Sequence, residues 1–146
     1  MPRAFASSVI DAPADQVWAR IRDFNGLPNW HPAIRDSHIE GNLPADKIGC
    51  IRNFNLKDGG NIREQLLALS DFDYSYTYAI LESPLGVVNY VATLKLSPIT
   101  DGNHTFAEWT ADFDCDAQRV QELVQIVGQG VFQGGLTALK TQAGRR

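Results

Sequence analysis

Two charged residues stand inside rows of apolar ones. Cys50-Arg52-Phe54-Leu56 alternates along one run, and Ile62-Glu64-Leu66-Ala68 alternates along the next, with Asp58-Gly59-Gly60 between them. A three-residue loop would put Arg52 and Glu64 on the same sheet face, one diagonal step apart. A two-residue loop would put them on opposite faces. A charge on an apolar wall is costly unless it is paired or meets a polar ligand. The two residues therefore read either as a structural ion pair or as the anchor for a ligand's polar end. Aromatic rows share that face: Tyr74, Tyr76, Tyr78 and Ile80, then Tyr90, Ala92, Leu94 and Leu96, then Trp109, Ala111 and Phe113. Their hydroxyl and indole groups need partners once buried.

Other chemistries find less support. His31, His38 and His104 are not at metal-ligand spacing, and Cys-x-x-Cys is absent. The chain lacks a Gly-x-Ser-x-Gly elbow, a phosphate loop and a dinucleotide fingerprint, so neither metal nor cofactor is expected. Thirteen basic against 17 acidic residues give a net charge of −4, and no basic cluster exceeds Arg145-Arg146, which speaks against nucleic acid. No apolar run is long enough to span a membrane, and Met1-Pro2-Arg3-Ala4-Phe5 is not a signal peptide. Cys50 and Cys115 fit a reducing compartment, with a single bridge as the alternative. The expectation is one soluble, cytoplasmic domain over residues 1–146, large enough to bury a core without a staple.

The elements that would position these residues follow from periodicity. Arg3 to Ile10 has strand composition. Asp11-Ala12-Pro13-Ala14-Asp15 opens a helix, with Asp11 as a cap and Pro13 in the first turn. Val17, Trp18, Ile21 and Phe24 form its apolar stripe until Asn25-Gly26-Leu27-Pro28 breaks it, and Leu27 and Trp30 could anchor a second, very short helix. From about Ile34 to Asp114 the period is two, and turn signals mark off six strands joined by short loops, an antiparallel meander. Ala117 to Gln142 then carries Val120, Leu123, Val124, Val127, Val131, Leu136 and Leu139 at helical spacing, capped by Asp114 or Asp116. Gly128, Gly130, Gly134 and Gly135 lie inside it, read either as close approach to the sheet or as space for a cavity. A curled sheet around a long helix leaves a pocket at one end.

In this order and spacing, the whole chain resembles the START-like, polyketide-cyclase-like superfamily of helix-grip proteins. Ile10-Asp11-Ala12-Pro13 with Val17-Trp18 is similar to that superfamily's usual first helix. Gly49-Cys50-Ile51-Arg52, Glu64-Gln65-Leu66 with Asp71, Asn89-Tyr90 and the apolar last helix resemble the plant abscisic-acid receptors and their bacterial relatives. The resemblance covers about Ala4 to Leu139. It implies an α+β fold: a seven-stranded curved antiparallel sheet gripping a long C-terminal helix, with two short helices after the first strand. It further implies that Glu64 and Tyr90 are cavity residues. His31 would stand where the receptors carry a ligand-pairing lysine, and Val127, Val131 and Gly135 would form the helix's pocket-facing stripe. The receptors' Ser-Gly-Leu-Pro-Ala gate and His-Arg-Leu latch are replaced by Lys57-Asp58-Gly59-Gly60 and Leu85-Gly86-Val87, so gated hormone sensing is not expected.

Two functions then compete. The favoured one is binding of a hydrophobic small molecule (lipid, polyketide or aromatic) with a polar end. Its walls would be Tyr78, Tyr90, Trp109, Val127 and Val131, and its anchors His31, Arg52 and Glu64. The alternative is a cofactor-free cyclase or dehydratase. There Arg52 would hold a carbonyl or enolate oxygen, and His31 or Glu64 would move a proton. A protein partner ranks last.

Overall fold

The computed structural model describes residues 1–143; Arg145 and Arg146 lie outside it. The chain runs β1 (Arg3–Ile10), α1 (Ala14–Ile21), a 3₁₀ helix (Phe24–Asn29), β2 (Ile34–Ile39), β3 (Ile51–Leu56), β4 (Asn61–Ser70), β5 (Ser75–Glu82), β6 (Val88–Ile99) and β7 (His104–Asp114), then a helix over 117–143. The strands form one antiparallel sheet in the order β1-β7-β6-β5-β4-β3-β2. The meander is therefore β2 to β7, and β1 closes onto β7, with Ala4 opposite Ala111 and Ala6 opposite Trp109.

The inward rows bury as their alternation requires. Trp109, Ala111 and Phe113, Tyr90 with Ala92, Leu94 and Leu96, and Tyr76 with Tyr78 are buried against α1 and the C-terminal helix. Val17, Trp18, Ile21 and Phe24 face the same core, although Phe24 already belongs to the 3₁₀ helix. Leu27 and Trp30 anchor that second helix as expected. Buried Thr105 donates its hydroxyl hydrogen bond to the Ala12 carbonyl at 2.7 Å, fastening the start of α1 to β7.

Three local expectations need correction. The helix α1 has Pro13, not Asp11, at its N-cap, with no side-chain cap; Asp11 lies 3.0 Å from His104. Strands β2 and β3 are joined by a long connection containing a 3₁₀ turn at Glu40–Asn42, not by a short loop. On β4 the register shifts between Leu66 and Ala68, so Ala68 is exposed and Leu69 packs on the core. A bulge adds one residue and reverses the parity beyond it. Cys50 and Cys115 are both free thiols, which leaves the bridge unmade.

The C-terminal helix departs from regular α geometry where it crosses the sheet. Asp116 caps it, accepting from the Gln118 amide at 2.9 Å, whereas Asp114 accepts from the Asn89 side chain. Over Ile126–Gln133 the helix widens into a π segment. Widening lengthens the spacing of the buried face: Leu123 and Val127 are four apart, Val127 and Phe132 five, Phe132 and Leu136 four, all buried. Phe132 stacks on Trp109 with centroids 4.6 Å apart, a contact worth about 0.5–1.5 kcal/mol beyond its burial. The α-helical count expects Val131 in that place.

Candidate functional site

A cavity of about 420 Å³ lies between the concave sheet face and the helix. The β3–β4 hairpin shapes its inner wall. Leu56 donates its amide hydrogen bond to the Gly60 carbonyl at 2.7 Å, leaving a three-residue loop with Gly59 at φ 100°. Such loops use a left-handed residue, which glycine adopts without a Cβ penalty. The register then places Arg52 directly opposite Glu64, not diagonal to it.

Arg52 is 1% exposed and fully engaged. Its Nε donates to Glu64 Oε1 at 2.9 Å, the amino nitrogen on the same side lies 2.7 Å from that oxygen, and the other donates to the Phe24 carbonyl at 3.0 Å. The guanidinium faces the Phe24 ring at 3.9 Å and the Tyr78 ring at 4.8 Å. Burial works against its charge, but Glu64 and the tyrosines outweigh that, so its pKa stands above the ordinary value. Burial pushes the Glu64 carboxyl up, against the pull of Arg52. Glu64 Oε2 accepts no hydrogen bond among the described residues, and Glu64 lines the cavity.

The aromatic rows supply the rest of the inner end. Trp109 Nε1 donates to the Tyr78 hydroxyl at 3.0 Å. Tyr90 stacks on Phe113 with centroids 5.9 Å apart, and its ring lies 6.4 Å from that of Tyr78. Burial raises both phenols well above their ordinary pKa, so both are neutral.

His31 is buried at the edge of the cavity. Its Nδ1 accepts from the Ala33 amide at 3.2 Å, which leaves the proton on Nε2, donated to the Val131 carbonyl at 2.7 Å. Burial lowers its pKa, against the Val131 bond and with help from Arg52. The ring is thus a neutral tie between the 3₁₀ segment and the π segment of the helix, with both nitrogens in use.

Of the residues singled out in the sequence, His31, Arg52, Glu64, Tyr78, Tyr90, Trp109, Val127 and Val131 line this cavity. Gly135 does not. A Cβ there would fall 2.8 Å from His31, 3.0 Å from Trp109 and 3.1 Å from Trp30, so this glycine admits aromatic rings against the helix. The other glycines divide between the two readings given them. A Cβ on Gly128 would lie 3.6 Å from the Phe5 carbonyl oxygen of β1, whereas one on Gly130, which lines the cavity, would meet nothing within 4 Å. Sequence reasoning missed the mouth: Lys57 and Asp58 of the hairpin, Leu85 of the β5–β6 loop, and Ile126 on the helix. Leu85 carried a signal, being an apolar residue inside the turn Ser83-Pro84-Leu85-Gly86. Among the described residues no group of His, Cys, Asp and Glu is disposed to hold a metal ion, and no helix is long and apolar enough to cross a membrane.

A curved sheet closed over a helix, with a mostly apolar cavity between them, defines a helix-grip protein. The chain belongs to the family described as polyketide cyclase/dehydrase and lipid transport, whose model matches residues 1–144. Solved structures agree. The protein XoxI from Bacillus cereus is 30% identical with a TM-score of 0.87, covering 97% of this chain and 95% of that one. A protein from Thermobifida fusca is 31% identical at TM-score 0.89, covering 99% and 95%. One from Nitrosospira multiformis is 27% identical at TM-score 0.83, covering 99% and 100%. Comparison with curated proteins gives no match. The broader resemblance is thereby shown; the finer one, to the abscisic-acid receptors, draws no support from these relatives.

Proposed function

We propose that this protein binds a hydrophobic small molecule, of lipid, polyketide or aromatic type, in the cavity between sheet and helix. The observation that carries the reading is the cavity's make-up. Aromatic and aliphatic walls surround one polar end at Glu64, Tyr78 and Tyr90, the pattern of a site that buries an apolar body and orients it by a few polar groups. The family description, which includes lipid transport, supports the same class. The cyclase or dehydratase reading is less well served. Arg52 is spent on Glu64 and the Phe24 carbonyl, and both nitrogens of His31 are engaged. Among the described residues that leaves no free cation at the inner end for an enolate oxygen and no free imidazole for proton transfer; of the three groups named for that chemistry, Glu64 alone keeps an oxygen open.

The test uses N-phenyl-1-naphthylamine, a neutral dye that fluoresces in apolar surroundings. Wild-type protein should take up about one equivalent. Gly130→Phe projects a ring where a Cβ meets nothing within 4 Å, so it should fill the mouth without disturbing the core and reduce uptake at least about tenfold. Undiminished uptake by a folded Gly130→Phe variant, or none by the wild type, would contradict the reading.

A further inference from the structure

The cavity's inner end has a definite hydrogen-bonding polarity. Resting on the binding function above, we propose that it selects a ligand bearing a neutral hydroxyl, which donates to Glu64 Oε2 and accepts from Tyr90, and that it discriminates against carboxylates. The first support is that the nearest cation is already spent. Arg52 lines the cavity but is 1% exposed, gives two nitrogens to one Glu64 oxygen and a third to the Phe24 carbonyl, and packs on the rings of Phe24 and Tyr78. A ligand anion would have to compete with Glu64 for it.

The second support is what remains unpaired. Glu64 is 5% exposed, and its Oε2 accepts nothing from the described residues. That oxygen is not sealed off but opens on the cavity, so a ligand can place a donor on it, and hydrogen bonds to a charged acceptor are the stronger ones. The third is the neighbouring phenols. Tyr78 accepts from Trp109, and Tyr90, which lines the cavity as a neutral phenol, has a proton to give to the ligand. One group that donates to a carboxylate oxygen and accepts from a phenol is a hydroxyl. A ketone or ether would leave Glu64 Oε2 unmet. A carboxylate would set a second negative charge beside Glu64 in a medium of low dielectric, and His31 is neutral and already tied at both nitrogens.

Three ligands of similar shape test this on the wild-type protein by calorimetry at neutral pH: 2-naphthol, 2-methoxynaphthalene and 2-naphthoate. The naphthol should bind at least about tenfold tighter than the ether, the yield of one hydrogen bond to a charged acceptor, and the naphthoate should bind weakest. In Glu64→Gln the preference for naphthol over ether should shrink to about threefold or less. Should that variant not fold, the wild-type comparison decides alone. An ether or a naphthoate that matches the naphthol overturns the proposal, as does a naphthol that fails to bind while N-phenyl-1-naphthylamine occupies the cavity. If the dye itself does not bind, it is the proposed function that fails.

Discussion

Strand β4 carries one carboxylate near each of its ends, Glu64 within it and Asp71 in the turn that follows, and each meets an arginine. Asp71 is complete: Oδ1 accepts from Trp18 Nε1 at 2.8 Å and Arg22 Nε at 2.6 Å, and Oδ2 accepts from a second Arg22 nitrogen at 2.9 Å. It faces water, and those bonds pull its carboxyl down to about 2. Glu64 is incomplete: one oxygen serves Arg52, the other accepts from none of the described residues, and burial pushes its carboxyl up. Asp71 fastens α1 to the β4–β5 turn with both oxygens in use. Glu64 is held in place by its arginine and keeps an acceptor in reserve, the arrangement a binding site needs and a strut does not.

That contrast sets the order of expected effects. Arg52→Ala leaves Glu64 buried without its partner, and it should cost about 3–5 kcal/mol in urea unfolding. A loss below about 1 kcal/mol would mean that the Glu64 end is far wetter than its burial suggests. Gly135→Ala pushes a methyl into His31, Trp109 and Trp30 and should cost about 1–3 kcal/mol by the same measurement. Gly130→Ala, five residues away on the cavity side, should stabilise by up to about 1 kcal/mol, since a helical glycine is replaced where there is room. The opposite signs at Gly130 and Gly135 separate cavity from packed wall.

The smallest effect belongs to Asp71→Asn, because the pair is exposed and screened. It shows best in pH dependence. A carboxyl depressed from 3.8 to about 2 stabilises the fold above pH 3.8, and that stabilisation fades as pH falls towards 2. The wild-type advantage over Asp71→Asn should therefore vanish across that interval. Glu64 has the opposite sign. With its folded pKa raised above 4.5, the folded state holds a proton that the unfolded chain releases, so its contribution declines as pH rises through that window.

The polar pair and the aromatic rows were legible because period-two alternation places every second residue on one face, whatever the rest of the chain does. Register was not legible, since the loop length at Asp58-Gly59-Gly60 decides it and composition allows two answers; the structure resolves this to direct opposition. Ala68 was misread because a bulge reverses parity with no change in composition. Phe132 was missed because the π segment spaces its buried face at five residues, where helical counting looks at four. Gly135 followed a family stripe that the same widening displaces. The free oxygen of Glu64 lay beyond sequence reasoning, as it depends on which side of a carboxylate an arginine approaches.

The three tryptophan indoles divide the molecule along the same lines. Trp109 lines the cavity and donates to Tyr78, Trp18 holds Asp71, and the Trp30 indole nitrogen is buried without a hydrogen-bond partner among the described residues. A titration with 2-naphthol, followed by the three indole N–H resonances in a ¹H–¹⁵N spectrum, reads all three places at once. Binding in the cavity predicts a large shift of the Trp109 resonance that saturates at one equivalent while that of Trp18 stays in place. A saturating titration that leaves Trp109 unmoved, or moves Trp18 most, would contradict the account.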